Sequence, residues 1–250
     1  MQVIKRGHLL MKLESVNMLL EICANSYQSA KNAQDAGVQR IELCSELSIG
    51  GITPSYGLIK QVVTELDIET YVLIRPRSGN FCYSEAEFEI IKKDIQICKD
   101  LGCHGIVSGV LNLDNTIDTK RTRELIELSK PLAFTFHRAS DIIPNLNEAL
   151  EQLIELGVDR ILTSGQQPKA IDGFETLKEL KLQAKDRITI LVGSGISSEN
   201  AKLFKDAGFE EIHASASEVI STESSDYFGN TPQTVSNITE IKAILKQINS

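Results

Sequence analysis

The chain has 250 residues, 42% of them hydrophobic, and a net charge of -8. That length buries a large core, as one domain if a barrel repeat accounts for it. The acidic balance argues against nucleic acid, and no segment approaches the ~18 to 20 continuous apolar residues of a membrane helix, so neither partner is expected.

The opening MQVIKRGHLLMKLESVN has a small basic start, but Lys12 and Glu14 interrupt its apolar part and no small-residue cleavage site follows. We read no signal peptide. Residues 1–17 are expected to be a leader, either disordered or a start-site extension, with Met11 and Met18 as alternative starts; residues 18–250 are expected to form a single domain. The first strand phrase, LLEIC (19–23), is written again as RIELC (40–44). Both run an acid into an apolar stretch, where Glu is rarely buried without a partner or a task.

Four phrases, the one that ends in RIELC among them, share one grammar: AQDAGVQRIELC, CKDLGCHGIVSG, LIELGVDRILTS and FKDAGFEEIHAS each give a helix tail, a Gly, then an apolar strand. Gly37, Gly102, Gly157 and Gly208 stand where a helix ends in a left-handed cap. TYVLIRP, LAFTFHR and ITILVGSG supply the remaining strands. Interleaved, the spacing predicts eight strands near 19–23, 40–44, 70–76, 105–110, 132–137, 159–164, 187–193 and 211–215, with seven amphipathic helices between them. Alternating strands and helices imply right-handed crossovers and a parallel sheet, and eight in this length is the size of a closed (β/α)8 TIM barrel of the α/β class. Near-continuous apolar runs such as YVLI and ITILV suit a sheet covered on both faces. A doubly wound sheet fits less well, since no GxGxxG follows the first strand. STESSDYFGNTPQTVSN reads as a long polar loop, and ITEIKAILKQI as the eighth helix.

Five cysteines without CxxC spacing do not form a disulfide framework. A reducing cytoplasmic location fits. In barrels of this kind chemistry collects at the C-terminal ends of the strands. Alternation along a strand puts Glu21 with Cys23 and Glu42 with Cys44. Glu21, Glu42, Arg75, His137 and His213 are thus expected around one mouth, the first four as candidate catalytic residues. The charged trio Glu21, Glu42 and Arg75 reads either as a site or as an ion-pair layer closing the barrel. An anion is expected at Arg75 and Arg77, at Gly193, Ser194 and Gly195 after strand seven, with Ser197 or Ser198 capping a helix there, and at Ser215 on strand eight. Ser164 and Gly165 add a weaker phrase.

The phrases EICANS, RIELCSELSIGGITPS, LIRPRSGNFCYSEAE, FTFHRASD, RILTSG, VGSGI and EIHASA occur in this order between residues 19 and 217. In them the chain resembles the copper homeostasis protein CutC family. The resemblance implies a TIM-type barrel, a cytoplasmic location and copper handling, with Cys23 and Cys44 at the positions proposed as copper(I) ligands. Ser140 departs from a more usual aromatic, and Ser194 interrupts a common run of glycines. Two cysteines on adjacent parallel strands can share a soft ion; the alternative is that both are small buried hydrophobes. Packing explains Cys82, Cys98 and Cys103. The expected partners are a copper ion or a small anionic ligand, with no organic cofactor indicated and a dimeric homo-oligomer as the assembly. Copper binding and an enzyme acting on a small anionic or phosphorylated metabolite are the two functional readings.

Overall fold

The computed structural model describes residues 18–221, 224–225, 229–230 and 232–250. The leader expected at residues 1–17 lies outside them. Eight parallel strands close a barrel in chain order: β1 (Leu19–Ala24), β2 (Arg40–Leu43), β3 (Glu69–Leu73), β4 (Gly105–Ser108), β5 (Ala133–Phe136), β6 (Arg160–Thr163), β7 (Thr189–Gly193) and β8 (Glu211–Ala214), with β8 pairing back onto β1. The expected (β/α)8 TIM barrel is therefore the fold. Around it run α1 (Tyr27–Ala36), α2 (Tyr56–Glu65), α3 (Glu85–Leu101), α4 (Thr119–Ser129), α5 (Leu146–Leu156), α6 (Phe174–Ala184), α7 (Ala201–Asp206) and, closing the ring, α8 (Ile238–Asn249). None of the described helices is long and apolar enough to cross a membrane.

The helix limits follow local chemistry. Ser26, Ser55, Asp118, Asn145 and Asn237 each cap a helix through a side-chain oxygen, and Ser84 with Glu87 forms a reciprocal capping box. Gly37, Gly102 and Gly157 end α1, α3 and α5 in the left-handed conformation that an L side chain resists. At α3 the Gly102 N–H reaches the Lys99 carbonyl and the Cys103 N–H the Cys98 carbonyl, so Cys98 and Cys103 belong to the Schellman turn.

Two expectations change. The stretch 221–237 is not a plain loop: β9 (Ser217–Ser221) and β12 (Gln233–Ser236) form an antiparallel ribbon, with β10 (Ser224–Ser225) pairing β11 (Gly229–Asn230) beyond it. Val235 is buried, and Asn25 and Asn32 donate to Thr234 and Ser236, which ties the ribbon to α1 and hid a strand inside a polar composition. Residues 222–223, 226–228 and 231 of that stretch lie outside the described residues. The helix after β7 begins at Ala201 with Asn200 as its cap residue, not at Ser197 or Ser198.

Following the strand register around the barrel sorts the inward residues into layers of four, from alternate strands. The lowest is Arg40, Gly105, Arg160 and Glu211. Above it come Glu21, Tyr71, Thr135 and Leu191, then Glu42, Val107, Leu162 and His213, then Cys23, Leu73, His137 and Gly193. A Cβ at Gly105 would lie 2.5 Å from the Tyr71 ring, so glycine there makes room for the aromatic above it.

Candidate functional site

The lower layers are a closed ion-pair network. Arg40 is 1% exposed; its Nε donates to Glu21 Oε2 at 2.5 Å and its Nη2 to Glu211. Arg160 Nε pairs Glu211 Oε2 at 2.9 Å, and the guanidinium groups of Arg40 and Arg160 both lie over the Tyr71 ring. Burial alone would raise the Glu21 pKa, but Arg40 and then His213 outweigh it and hold the carboxyl down at about 2. Glu21 lies beneath the mouth rather than around it, because β1 and β2 pair Glu21 with Arg40 and Cys23 with Glu42. The matching phrases LLEIC and RIELC are therefore offset by two residues, and their acids fall in different layers.

Above this network the mouth opens as a cavity of about 310 Å³, bounded by Cys23, Glu42, Cys44, Arg75, His137 and His213 among others. The Glu21 carboxylate reaches up to His213 Nδ1 at 2.8 Å, which leaves Nε2 pointing to Glu42 Oε2 at 3.6 Å. Burial pushes the His213 pKa down, yet the hydrogen bond to Glu21 and the charges of Glu42 and Glu21 win and raise it. Glu42 is raised, mainly by burial. The Cys23 thiol donates to Glu42 Oε2 at 3.4 Å and lies 3.6 Å from the Cys44 sulfur. Contact with Cys44, burial and the Glu42 charge push the Cys23 thiol well above its usual value. Cys23, Glu42 and His213 each place a donor atom within 4.8 Å of the others, a grouping that suits a metal ion.

The wall next to β2, at the end of β3, is cationic. Arg75, buried at the end of β3, gives Nη1 to the carbonyls of Ile49 and Gly51 and Nη2 to that of Gly79, and lies over the Phe81 ring. Among the described residues no carboxylate pairs with it, and its Nε has no partner. His137 packs against the other side of this cluster, 4.7 Å from Phe81 between ring centroids. Its Nδ1 accepts the Ala139 N–H, so the neutral ring carries its proton on Nε2, which has no partner. Burial and then the Arg75 charge lower its pKa to about 3. A Cβ at Gly109 would come 2.8 Å from the imidazole, so glycine is what lets the ring lie there.

Other expected anion residues are spent elsewhere. Arg77 turns to Glu87 and to the carbonyls of Ser78, Asn80 and Cys82, and does not line the cavity. The Ser197 N–H goes to Asn200 Oδ1 and the Ser198 N–H to Glu240 Oε1, so the protein's own side chains occupy the turn before α7. Gly193 serves packing, since a Cβ would sit 2.6 Å from Leu162. Ser194, Gly195 and Ser215 do line the cavity. Sequence reasoning missed Arg40, Arg160 and Glu211, although each opens a strand before Ile, in RIELC, RILTS and EIHAS. It also missed Asp141, which accepts from Thr163, Ser164 and Arg138 and holds Arg138 at the rim.

The CutC family description matches residues 18–218. The chain belongs to the CutC family. A family protein CutC of Photorhabdus laumondii is 47% identical over 201 residues, covering 80% of this chain and 81% of that protein. One from Bacteroides fragilis is 46% identical over 208 residues, covering 82% of each. The solved structure of the Streptococcus agalactiae CutC, named for copper homeostasis, superposes with a TM-score of 0.75 at 35% identity, covering 79% of this chain and 98% of that one. The family region ends within β9, so it contains every residue that lines the cavity.

Proposed function

We propose that the chain binds copper(I) through Cys23 and Cys44 and handles copper in the cytoplasm. The observation that carries this reading is the pair of buried thiols, free and 3.6 Å apart, in the wall of the cavity. Copper(I) is a soft ion and prefers thiolate donors, so the donor set fits it. The Glu42 carboxylate beside Cys23 favours a cation there over an empty pair of thiolates. The name of the Streptococcus agalactiae relative supports the same reading. Anaerobic titration against a chromophoric copper(I) chelator should give about one ion per chain with sub-micromolar affinity, and Cys23→Ser with Cys44→Ser should abolish it in a folded protein. Undiminished tight binding in the double variant would overturn the reading.

A second reading, favoured by Arg75 and His137, is an enzyme acting on a small anionic or phosphorylated metabolite. Among the described residues Arg75 is a buried cation without a carboxylate partner, and His137 a neutral imidazole with an unused donor. Copper storage has no use for either. In this reading Arg75 holds the anion, His137 donates to a ligand oxygen, and Glu42, its pKa raised by burial, moves a proton. Millimolar phosphate or sulfate should raise the melting temperature saturably over chloride at matched ionic strength. Arg75→Met should remove that gain. No gain in the unmodified protein would leave the copper reading alone.

A further inference from the structure

The cavity holds a second arrangement of donors, distinct from the thiol pair. Cys23 Sγ lies 3.4 Å from Glu42 Oε2, and the same oxygen lies 3.6 Å from His213 Nε2. In a tetrahedral zinc site the bonds are ~2.0 to 2.3 Å, which puts neighbouring donor atoms roughly 3.3 to 3.8 Å apart. Both contacts match the edges of such a tetrahedron. A separate feature supports a ligand role for the histidine: Glu21 holds Nδ1 at 2.8 Å and Arg40 holds Glu21, so Nε2 is the nitrogen turned to the cavity. A carboxylate behind the histidine is the usual support of a metal-bound imidazole, where it fixes both tautomer and ring direction.

We infer that Cys23, Glu42 and His213 form a binding site for one borderline divalent cation of the zinc or cobalt(II) class, with Glu21 as the positioning residue behind His213. The charges agree with this class. A thiolate and a carboxylate balance a divalent ion, and a neutral imidazole completes a mixed S, O, N set. Three protein ligands leave a coordination position open toward the cavity, which Arg75 also lines. Sites that act on substrates keep such a position, whereas purely structural zinc sites fill it with a fourth protein ligand. An ion there would supply Lewis acidity to an oxygen of a bound anion.

This inference shares Cys23 with the copper(I) reading, so the test sets cobalt(II) and zinc(II) against copper(I) in three variants. Cobalt(II) and zinc(II) are titrated anaerobically into the metal-free full chain, with copper(I) run in parallel. One cobalt(II) per chain should bind with a thiolate-to-cobalt charge-transfer band in the near ultraviolet, and zinc(II) should displace it. Cys44→Ser should keep the cobalt(II) band and lose tight copper(I) binding. His213→Gln should weaken cobalt(II) at least tenfold while copper(I) binding survives, which also shows that this variant folds. Glu21→Gln should weaken cobalt(II) about 10- to 100-fold. Cobalt(II) that does not bind, binds without the sulfur band, or binds His213→Gln as tightly as the unmodified chain overturns the inference. Loss of copper(I) alone from the unmodified chain overturns only the copper reading.

Discussion

At the lower end of the barrel Arg40 sits between Glu21 and Glu211, and Arg160 covers Glu211 from the other side. At the upper end, among the described residues, Arg75 meets carbonyls and an aromatic face but no carboxylate, His137 Nε2 has no partner, and Glu42 has a thiol at 3.4 Å and an imidazole nitrogen at 3.6 Å. Both regions are buried and strongly charged. Desolvation makes either arrangement costly, and only the lower one recovers that cost within the protein. Under our proposal, charge paired internally belongs to the structure of the barrel, whereas charge left under-paired beside a cavity serves something that enters it. Glu21 joins the regions, because one of its oxygens takes Arg40 and the other supports His213.

Breaking the lower network should produce the largest effect. Arg40→Met leaves Glu21 and Glu211 without their shared cation, and removing one partner of a buried pair costs about 3 to 5 kcal/mol. Urea unfolding of the metal-free protein measures this directly. A cost below about 1 kcal/mol, the range of exposed pairs, would erase the distinction between the two regions.

The two histidines sharpen the comparison through pH. His137 has its folded pKa depressed from 6.5 to about 3, so only the unfolded chain takes up a proton between those values. Its contribution to stability is whole above pH 6.5 and is lost as pH falls toward 3, on the order of a few kcal/mol. Glu21, depressed from 4.5 to about 2, adds a loss between those values. His213 has the opposite sign: its folded pKa is raised, so its contribution is present below pH 6.5 and disappears as pH rises through the folded value. His137→Gln should flatten the slope between pH 6.5 and 4.5, and His213→Gln the decline on the alkaline side. Interchanged effects would mean that the protonation states are assigned the wrong way round.

Much of the barrel was legible because each repeat states it locally: an amphipathic helix, a capping glycine such as Gly102 or Gly157, and a run of apolar residues. The division of the charges was not. LLEIC and RIELC look equivalent in sequence, and only the stagger of a closed, tilted barrel places Glu21 opposite Arg40 and Glu42 opposite Cys23. The turn before α7 likewise reads as an anion site until α8, some forty residues later in the chain, delivers Glu240 to the Ser198 N–H. Arg77 turns away from the cavity for a more local reason. Its partner Glu87 lies in the next helix, where the capping box with Ser84 fixes that carboxylate within reach.

The smallest expected effect bears most directly on the division between the layers. Glu42→Gln keeps the shape of the side chain and removes its charge, and its melting temperature in metal-free buffer can be set beside those of the unmodified protein and Arg40→Met. Since Glu42 is buried with its pKa raised and no arginine or lysine pairs with it among the described residues, the variant should melt at the same temperature or higher, as expected of a residue kept for function at some cost in stability. A fall comparable to that of Arg40→Met would make Glu42 part of the structural network and contradict its assignment to the site.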